Sequence, residues 1–160
     1  MIKILFVCMG NICRSPSGEA VMNSLILKNN LQDRVSCDSA GTIAYHTGEP
    51  ADARMQRHAT KRGYNLTSIA RQIKLYDFER FDYIIAMDSE NYKNILSLDV
   101  EKKLKNKVSM MMDYATDHKD KDVPDPYYGG EQGFEYVLDL LEDACLGLLK
   151  HIVKMDLGKS

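Results

Sequence analysis

The sequence lacks three features that would each indicate a particular class of protein. No apolar run approaches the roughly 18 residues of a membrane span, and the longest, 4–9, has the length of one strand. Lys and Arg number 21 against 23 Asp and Glu, so the basic excess typical of nucleic-acid-binding proteins is missing. Four cysteines in 160 residues are too few for a disulfide scaffold, and the close pair Cys8 and Cys13 has no second pair to complete a zinc site. The sequence therefore predicts no membrane, nucleic-acid or metal partner.

What is present is the composition of one globular domain. Hydrophobic residues make up 44% and charged residues 28%, with 10 Gly and 4 Pro, which excludes collagen-like, disordered and coiled-coil chains. A chain of 160 residues can bury a core without disulfides or metals, so we expect a single domain over 1–160. The first residues carry one lysine, an apolar run and Gly10-Asn11 without a small-residue cleavage site, which favours a first strand over a signal peptide. With reduced cysteines, this predicts a cytoplasmic protein, which we expect to be monomeric.

Strand and helix patterns alternate along the chain. Apolar runs predict strands at 2–7, 35–39, 81–87 and 107–112. Periodicity, caps and breakers predict helices at about 15–30, 51–62, 89–98 and 134–155, the first with Ser15 as its N-cap. Such alternation predicts an α/β fold, a doubly wound four-stranded parallel sheet with helices on both faces. Ligands bind such sheets where the strands end, which here is at 8–15, 39–52, 87–90 and 112–130.

The loop at 8–15 joins a buried strand to a helix and has the composition of an anion cradle. Its backbone N–H groups can surround an anion, and Gly10 and Asn11 tolerate the backbone angles that a cradle needs. Arg14 can donate two N–H groups to two phosphate oxygens at once. Cys8 stands in the same positive field, which favours the thiolate, and a thiolate that faces bound phosphorus is a nucleophile in place. No Gly-Lys-Ser/Thr follows, so this is not a nucleotide-binding P-loop.

The stretch VCMGNICRSP at 7–16 resembles the signature of the low-molecular-weight protein tyrosine phosphatases. The likeness continues in order and spacing over nearly the whole chain, through DSAGT at 38–42, ARQ at 70–72, FDYIIAMD at 81–88 and DPYYGG at 125–130. The resemblance implies a four-stranded parallel sheet flanked by helices, and the hydrolysis of phosphotyrosine or small aryl phosphates. No cofactor is expected, because Arg14 and the loop amides supply the positive charge that a metal ion would otherwise bring.

The resemblance also implies chemical roles. Cys8 is expected to attack phosphorus and form a phosphocysteine, while Arg14 and the loop amides hold the phosphate oxygens. Ser15 matches the hydroxyl that hydrogen-bonds the cysteine sulfur and eases its departure. Two carboxyl groups in the last loop, Asp122 and Asp125, could protonate a departing phenolate, and the family match selects Asp125. Asp122 is then expected to be a solvated loop charge.

The residues expected around the substrate come from several loops. The phosphate-binding amides belong to Met9, Gly10, Asn11, Ile12 and Cys13, and apolar walls around an aromatic ring are expected from Met9, Tyr45, Tyr127 and Tyr128. Asn11 and Ser39 resemble the pair whose side chains hold the loop in its strained shape. The family's usual histidine near Ala70-Arg71 is absent, with Ser68 or Ile69 in that stretch, so the third member of this network stays open. The four histidines are interpreted as non-catalytic; they are His46, His58, His118 and His151.

Cys13 allows two interpretations. It is either a packed small residue or the partner that traps an oxidised Cys8 as a disulfide, which would protect Cys8 from irreversible oxidation. One tight loop permits the disulfide, and the family resemblance favours it. Cys37 and Cys145 are expected to be buried thiols.

Three other functions compete with phosphotyrosine hydrolysis. An arsenate reductase of this fold needs further cysteines after the third strand, and residues 82–92 contain none. A protein-arginine phosphatase is a similar enzyme, but that branch has threonine before the second cysteine, where this chain has Ile12 and thus an apolar pocket suited to a phenyl ring. A phosphate-binding module without turnover would be expected to lack the nucleophile or the acid, whereas Cys8, Arg14 and Asp125 are all present. Phosphotyrosine hydrolysis is therefore the predicted function.

Overall fold

Four strands form one parallel sheet in the computed structural model, which describes residues 1–99, 104–127 and 129–158. The strands are β1 (Ile2–Cys8), β2 (Val35–Gly41), β3 (Tyr83–Ala86) and β4 (Val108–Met110), in the order β2-β1-β3-β4. β1 lies inside the sheet, and its residues 4–7 are completely buried. Burial on both faces explains why this stretch is an unbroken apolar run.

Helices cover both faces of the sheet, as the alternation predicted. They are α1 (Arg14–Lys28), α2 (Ala53–Lys61), α3 (Asp77–Arg80), α4 (Ser89–Leu98) and α5 (Glu131–Ile152), which continues as a π-helical turn, Val153–Leu157. α1 and α5 pack on the face that carries Ile4 and Phe6 of β1, while α3 and α4 pack on the face that carries Leu5 and Val7. No helix of the described ranges is long and apolar enough to cross a membrane.

The structure corrects the predicted boundaries at the edge of the sheet where β1 ends. α1 begins at Arg14 with Cys13 as its N-cap, so the prediction that Ser15 caps this helix is wrong. The Ser15 hydroxyl faces Cys8 instead of the helix start. β2 continues two residues beyond its predicted end because Cys8 and Gly41 are partners in the parallel ladder.

β3 and β4 are shorter than predicted. β3 begins at Tyr83 because 77–80 form the short helix α3, for which the sequence offers no periodic signal. β4 ends at Met110, where the carboxylate of Asp113 accepts the Met110 N–H at 3.1 Å and the chain turns into a 3₁₀ helix, Met111–Tyr114. A side chain that binds the backbone N–H group ends the strand in favour of a turn.

α5 crosses the 3₁₀ turn at very close range. A Cβ added at Gly147 would lie 1.8 Å from the carbonyl oxygen of Tyr114, so only glycine fits there. Gly133 lies in the first turn of the same helix, where an added Cβ would meet its nearest neighbour, Pro126, at 3.7 Å. The helix thus contains one glycine that packing requires and one that it does not.

The substitution Gly147→Ala should therefore lower the free energy of unfolding by roughly 3 kcal/mol, because the backbone of the 3₁₀ turn must move away. Gly133→Ala is the matched control and should leave stability unchanged or raise it by up to about 1 kcal/mol, since alanine is the better helix former. Urea unfolding followed by circular dichroism measures both. Equal losses in the two variants would contradict the close contact.

Candidate active site

The loop after β1 lies directly on the end of β2. A Cβ added at Gly41 would lie 2.7 Å from the carbonyl oxygen of Met9 and 3.1 Å from the backbone nitrogen of Asn11, so a side chain would push the loop away. The next residue, Thr42, donates its N–H to the carbonyl of Cys8 at 2.9 Å. Sequence reasoning did not single out Gly41 as a site residue, because its requirement arises only when the loop folds over it.

Asn11 has a left-handed backbone conformation inside this loop and is almost completely buried. Its φ is 59°, a value that asparagine tolerates better than most residues. Its backbone N–H donates to Cys8 Sγ at 3.3 Å, and its Nδ2 donates to Ser15 Oγ at 2.8 Å. Its Oδ1 accepts the backbone N–H of Arg71 at 3.0 Å. Every polar group of this side chain therefore has a partner, and Arg71 is one that the sequence did not reveal.

Cys8 lies at the floor of the loop, where its sulfur is surrounded by donors. Its Sγ is 3.0 Å from Ser15 Oγ, and the residue is only 2% exposed. The Ser15 hydroxyl is also 3.3 Å from the carbonyl oxygen of Ala40. The sulfur therefore lies within hydrogen-bond distance of two neighbouring groups, the Asn11 N–H and the Ser15 hydroxyl.

Arg14 is a buried cation with two fixed partners. Its Nη1 donates to Asp88 Oδ2 at 2.6 Å and to the carbonyl of Val123 at 3.1 Å, while Nη2 lies 3.6 Å from Asp125 Oδ2. Burial, the largest single influence, lowers the pKa of Arg14, but the charges of Cys8, Asp88 and Asp125 together raise it above its ordinary value. The guanidinium therefore stays charged, and its orientation is set from α4 and the last loop.

The two carboxyl groups of the last loop have different surroundings. Asp125 Oδ1 accepts the N–H of Tyr127 at 3.0 Å, and its other oxygen faces Arg14. Asp122 accepts both the N–H and the hydroxyl of Ser89 at 3.0 Å. Asp122 is exposed in its loop, as expected of a solvated charge, and it also joins the last loop to the start of α4.

A small cleft opens above Cys8. It is lined by Cys8, Met9, Gly10, Ile12, Cys13, Arg14, Ile43, His46, Asp125 and Tyr127. Ile43 and His46 were not among the expected lining residues. Both lie in the loop after β2. The sequence of this loop has no helical or strand periodicity, so it does not indicate which side chains face inward. The Nδ1 atom of His46 is paired with Glu49 at 2.6 Å, which fixes the ring at the cleft wall.

Two expected residues are not where the sequence placed them. Ser39 does not hold the loop, since its hydroxyl donates to Glu19 Oε1 at 2.7 Å. Tyr45 is 80% exposed and packs edge-on against His46, outside the set of side chains that line the cleft. Tyr128 lies outside the described residues. The buried hydroxyl of Ser68 has no hydrogen-bond partner among the residues that the structure describes, so it does not replace the histidine expected nearby.

All four cysteines are free thiols in this structure, and three of them have little tendency to ionise. Burial is the main cause that raises the pKa of Cys13, Cys37 and Cys145 well above that of an ordinary thiol. Cys13 is 4% exposed and lines the same cleft as Cys8. Cys145 is completely buried in the core, as expected, whereas Cys37 is only partly buried.

A parallel sheet that presents an anion cradle, a buried arginine and a cysteine at its carboxyl end has the architecture of an enzyme that hydrolyses phosphate monoesters. Comparison with known families identifies it more closely. The family model described as low molecular weight phosphotyrosine protein phosphatase matches residues 3–157, and the chain belongs to that family. The resemblance stated from the sequence, the predicted fold and the prediction of a hydrolytic enzyme are thereby confirmed.

Individual relatives cover the chain almost from end to end. A putative low molecular weight protein-tyrosine-phosphatase of Synechocystis is 51% identical over 153 residues, which are 96% of this chain and 98% of that one. The crystal structure of a protein tyrosine phosphatase of Entamoeba histolytica, with Hepes in its active site, matches with a TM-score of 0.90 at 47% identity over the full length of both chains. A Drosophila arginine phosphatase matches with a TM-score of 0.89 at 33% identity, over 97% of this chain and all of that one.

The differences between the thiols predict selective alkylation. Iodoacetamide at neutral pH should modify Cys8 alone, because burial holds the other three as thiols. Inorganic phosphate should slow the reaction, since it occupies the cradle above the sulfur. Mass spectrometry of the digested protein identifies the labelled residue, and Cys8→Ser is the control that should take up no label. Equal labelling of Cys37 would show that exposure alone controls reactivity.

Proposed function

We propose that this protein hydrolyses phosphotyrosine in proteins and small aryl phosphates through a phosphocysteine intermediate. One observation carries the proposal: the sulfur of Cys8, the guanidinium of Arg14 and the carboxyl group of Asp125 line the same small cleft. These are a nucleophile, a fixed cation and a proton donor, which are the parts that transfer of a phosphoryl group from an aryl ester requires. Membership of the phosphotyrosine phosphatase family supports the choice of substrate.

The first step forms the bond between Cys8 Sγ and phosphorus. The phosphate group enters the cradle, where the loop amides and Arg14 donate to its non-bridging oxygens. Because Asp88 and the Val123 carbonyl already hold Nη1, the guanidinium is oriented before the substrate arrives. Charge that builds on the oxygens in the transition state is then stabilised without reorganisation, which is the largest contribution in most enzymes of this kind.

Asp125 acts first as the acid that protonates the leaving group and then as the base that deprotonates water. While the bond from phosphorus to the phenolic oxygen breaks, the carboxyl group passes its proton to that oxygen, so that a neutral phenol departs. The carboxylate then takes a proton from water as the water oxygen bonds to phosphorus and the sulfur–phosphorus bond breaks. The Ser15 hydroxyl, 3.0 Å from the sulfur, stabilises the departing thiolate. Phosphate, phenol and the original enzyme result.

Apolar side chains favour an aromatic ring over a guanidinium group in this cleft. Ile12 and Ile43 contribute apolar lining, and Tyr127 forms an aromatic side of the opening. The structural likeness to an arginine phosphatase shows that the fold serves both substrates, so the choice must come from the lining. Ile12 offers no hydrogen-bond acceptor or donor to a phosphoarginine, whose polar groups would be left unpaired.

Oxidation of Cys8 offers a second use for Cys13. A peroxide would convert the Cys8 thiolate into a sulfenic acid, and the Cys13 thiol would then displace water to form a disulfide. Both residues line the same cleft, which supports this reaction. Reduction by a cytosolic dithiol would restore two thiols and release the oxidised dithiol, and free thiols throughout the chain suit such a reducing compartment.

The decisive test compares two phosphopeptides that carry phosphotyrosine or phosphoarginine, each in excess chelator. The unaltered protein should release phosphate from the tyrosine peptide at least about tenfold faster, and Cys8→Ala should release none. Ile12→Thr should reduce this preference, because its hydroxyl can serve the polar substrate. Preferential turnover of the arginine peptide would overturn the substrate proposal and keep the nucleophile. Turnover of neither peptide by reduced protein would leave a phosphate-binding module.

The role of Asp125 predicts a dependence on the leaving group. Asp125→Asn should lower kcat by roughly 10²–10⁴-fold for phenyl phosphate, whose phenolate leaves poorly, and much less for p-nitrophenyl phosphate. Asp122→Asn is the matched control, because it changes a carboxylate in the same loop that faces Ser89 instead of the cleft. Equal losses on both substrates would exclude Asp125 as the acid.

A further inference from the structure

Arg71 is held at three separate points beside the loop that contains Cys8. Its carbonyl accepts the N–H of Gly41 at 2.8 Å. Its guanidinium donates to both oxygens of Asp77, at 3.0 and 3.2 Å, and to Asp38 Oδ2 at 3.2 Å. Its backbone N–H donates to Asn11 Oδ1 at 3.0 Å. One residue thus joins a side-chain ion pair to the strained part of the loop, across 60 positions of sequence.

The ion pair with Asp77 is a rigid anchor. Asp77 is completely buried, and it also accepts the N–H of Lys74 at 2.8 Å. Burial, the largest single influence, lowers the pKa of Arg71, but the hydrogen bond and charge of Asp77 and the charge of Asp38 raise it above its ordinary value. The guanidinium therefore stays charged, and its bidentate contact with Asp77 restricts how the segment around Arg71 can move.

The N–H of Arg71 determines the direction of the hydrogen bonds that end at sulfur. Of the two ends of the Asn11 amide only Oδ1 can accept the Arg71 N–H, so this contact fixes the amide with Oδ1 toward Arg71 and Nδ2 toward Ser15. Nδ2 then donates to Ser15 Oγ at 2.8 Å, and this leaves the single Ser15 proton for another acceptor. Of the two acceptors within reach, Cys8 Sγ at 3.0 Å is nearer to the hydroxyl than the Ala40 carbonyl oxygen at 3.3 Å.

We propose that Arg71, held by Asp77, is a positioning residue that orients the Asn11 amide so that the Ser15 hydroxyl donates its proton to Cys8 Sγ. This inference rests on the proposed function, since the hydroxyl matters when sulfur attacks and departs as a thiolate. It also explains how the loop keeps its shape although Ser39 turns to Glu19 and no histidine is present beside Arg71. The backbone supplies the third hydrogen bond, and a distant ion pair keeps it in place.

The test removes the ion pair without leaving a buried charge unpaired. The double variant Arg71→Gln/Asp77→Asn replaces both charged groups by amides of similar shape, and Arg71→Lys keeps the charge but loses the bidentate contact. The matched control is Arg57→Gln/Glu131→Gln, an exposed pair that is not among the residues lining the cleft. The cleft that holds Cys8 is also lined by Arg14, Asp125 and His46, and Asp88 pairs with Arg14; all four are unchanged in these variants.

Two measurements are made on each folded variant. The first is the rate of Cys8 alkylation by iodoacetamide between pH 4 and 9. The second is kcat and KM for p-nitrophenyl phosphate over the same range. In the double variant the alkylation midpoint should move up by about half to one pH unit, since the thiolate loses part of its hydrogen bonding. The value of kcat should fall about tenfold with KM nearly unchanged, because Arg14 still binds phosphate.

Arg71→Lys should show smaller changes in the same directions, and the control pair should show none. An unchanged alkylation midpoint in the folded double variant would overturn the proposal, even if kcat fell. A residue that only stabilises the fold could lower kcat, but it would not change the pH at which Cys8 reacts. If the double variant does not fold, the midpoint of Arg71→Lys decides by the same criterion. If the unaltered protein has no phosphatase activity, the proposed function fails, while alkylation still tests the position of the Ser15 proton.

Discussion

The parallel pairing of β1 with β2, which ends where Cys8 lies beside Gly41, is the constraint on which the rest of the site depends. It brings the sulfur to the edge of the sheet at the point where the chain must turn. It also puts a residue without a side chain under that turn, so the loop can close over it. Without this register the loop amides would not converge, and the start of α1 would not face the same space.

Charge is organised in two layers around the loop. Arg14 lies nearest to the cleft, and its partners Asp88 and Asp125 belong to elements that follow other strands. Arg71 lies behind the loop with its own pair of carboxylates, Asp38 and Asp77. The inner arginine lines the cleft and is proposed to bind the substrate, whereas the outer one lies outside the cleft lining and is proposed to act through its backbone N–H. Two residues of the same type therefore serve different purposes because of what surrounds them.

Local patterns were enough to predict the sheet, the main helices and the phosphate loop. The apolar run of β1 and the spacing of Cys8 and Arg14 are patterns of neighbouring residues, so they can be recognised in the sequence alone. What escaped prediction depends on contacts between distant segments. Arg71 reaches Asn11 across 60 residues, and Ser39 turns to Glu19 because α1 passes beside β2. The short helix α3 was missed because four residues cannot display a period.

The residues proposed to carry out the reaction and those at the rim of the cleft lie in different parts of the chain. Cys8, the proposed nucleophile, ends β1, and Ser15, which lies 3.0 Å from its sulfur, belongs to the first turn of α1; both elements pack in the core. Ile43, His46 and Tyr127, by contrast, belong to surface turns that few core contacts restrain. Substitutions at the rim can therefore accumulate without disturbing bond cleavage. In evolutionary terms, this arrangement would let descendants of one ancestral catalyst adjust the entrance of the cleft by drift in the rim, while a change of substrate class would also involve Ile12 in the loop.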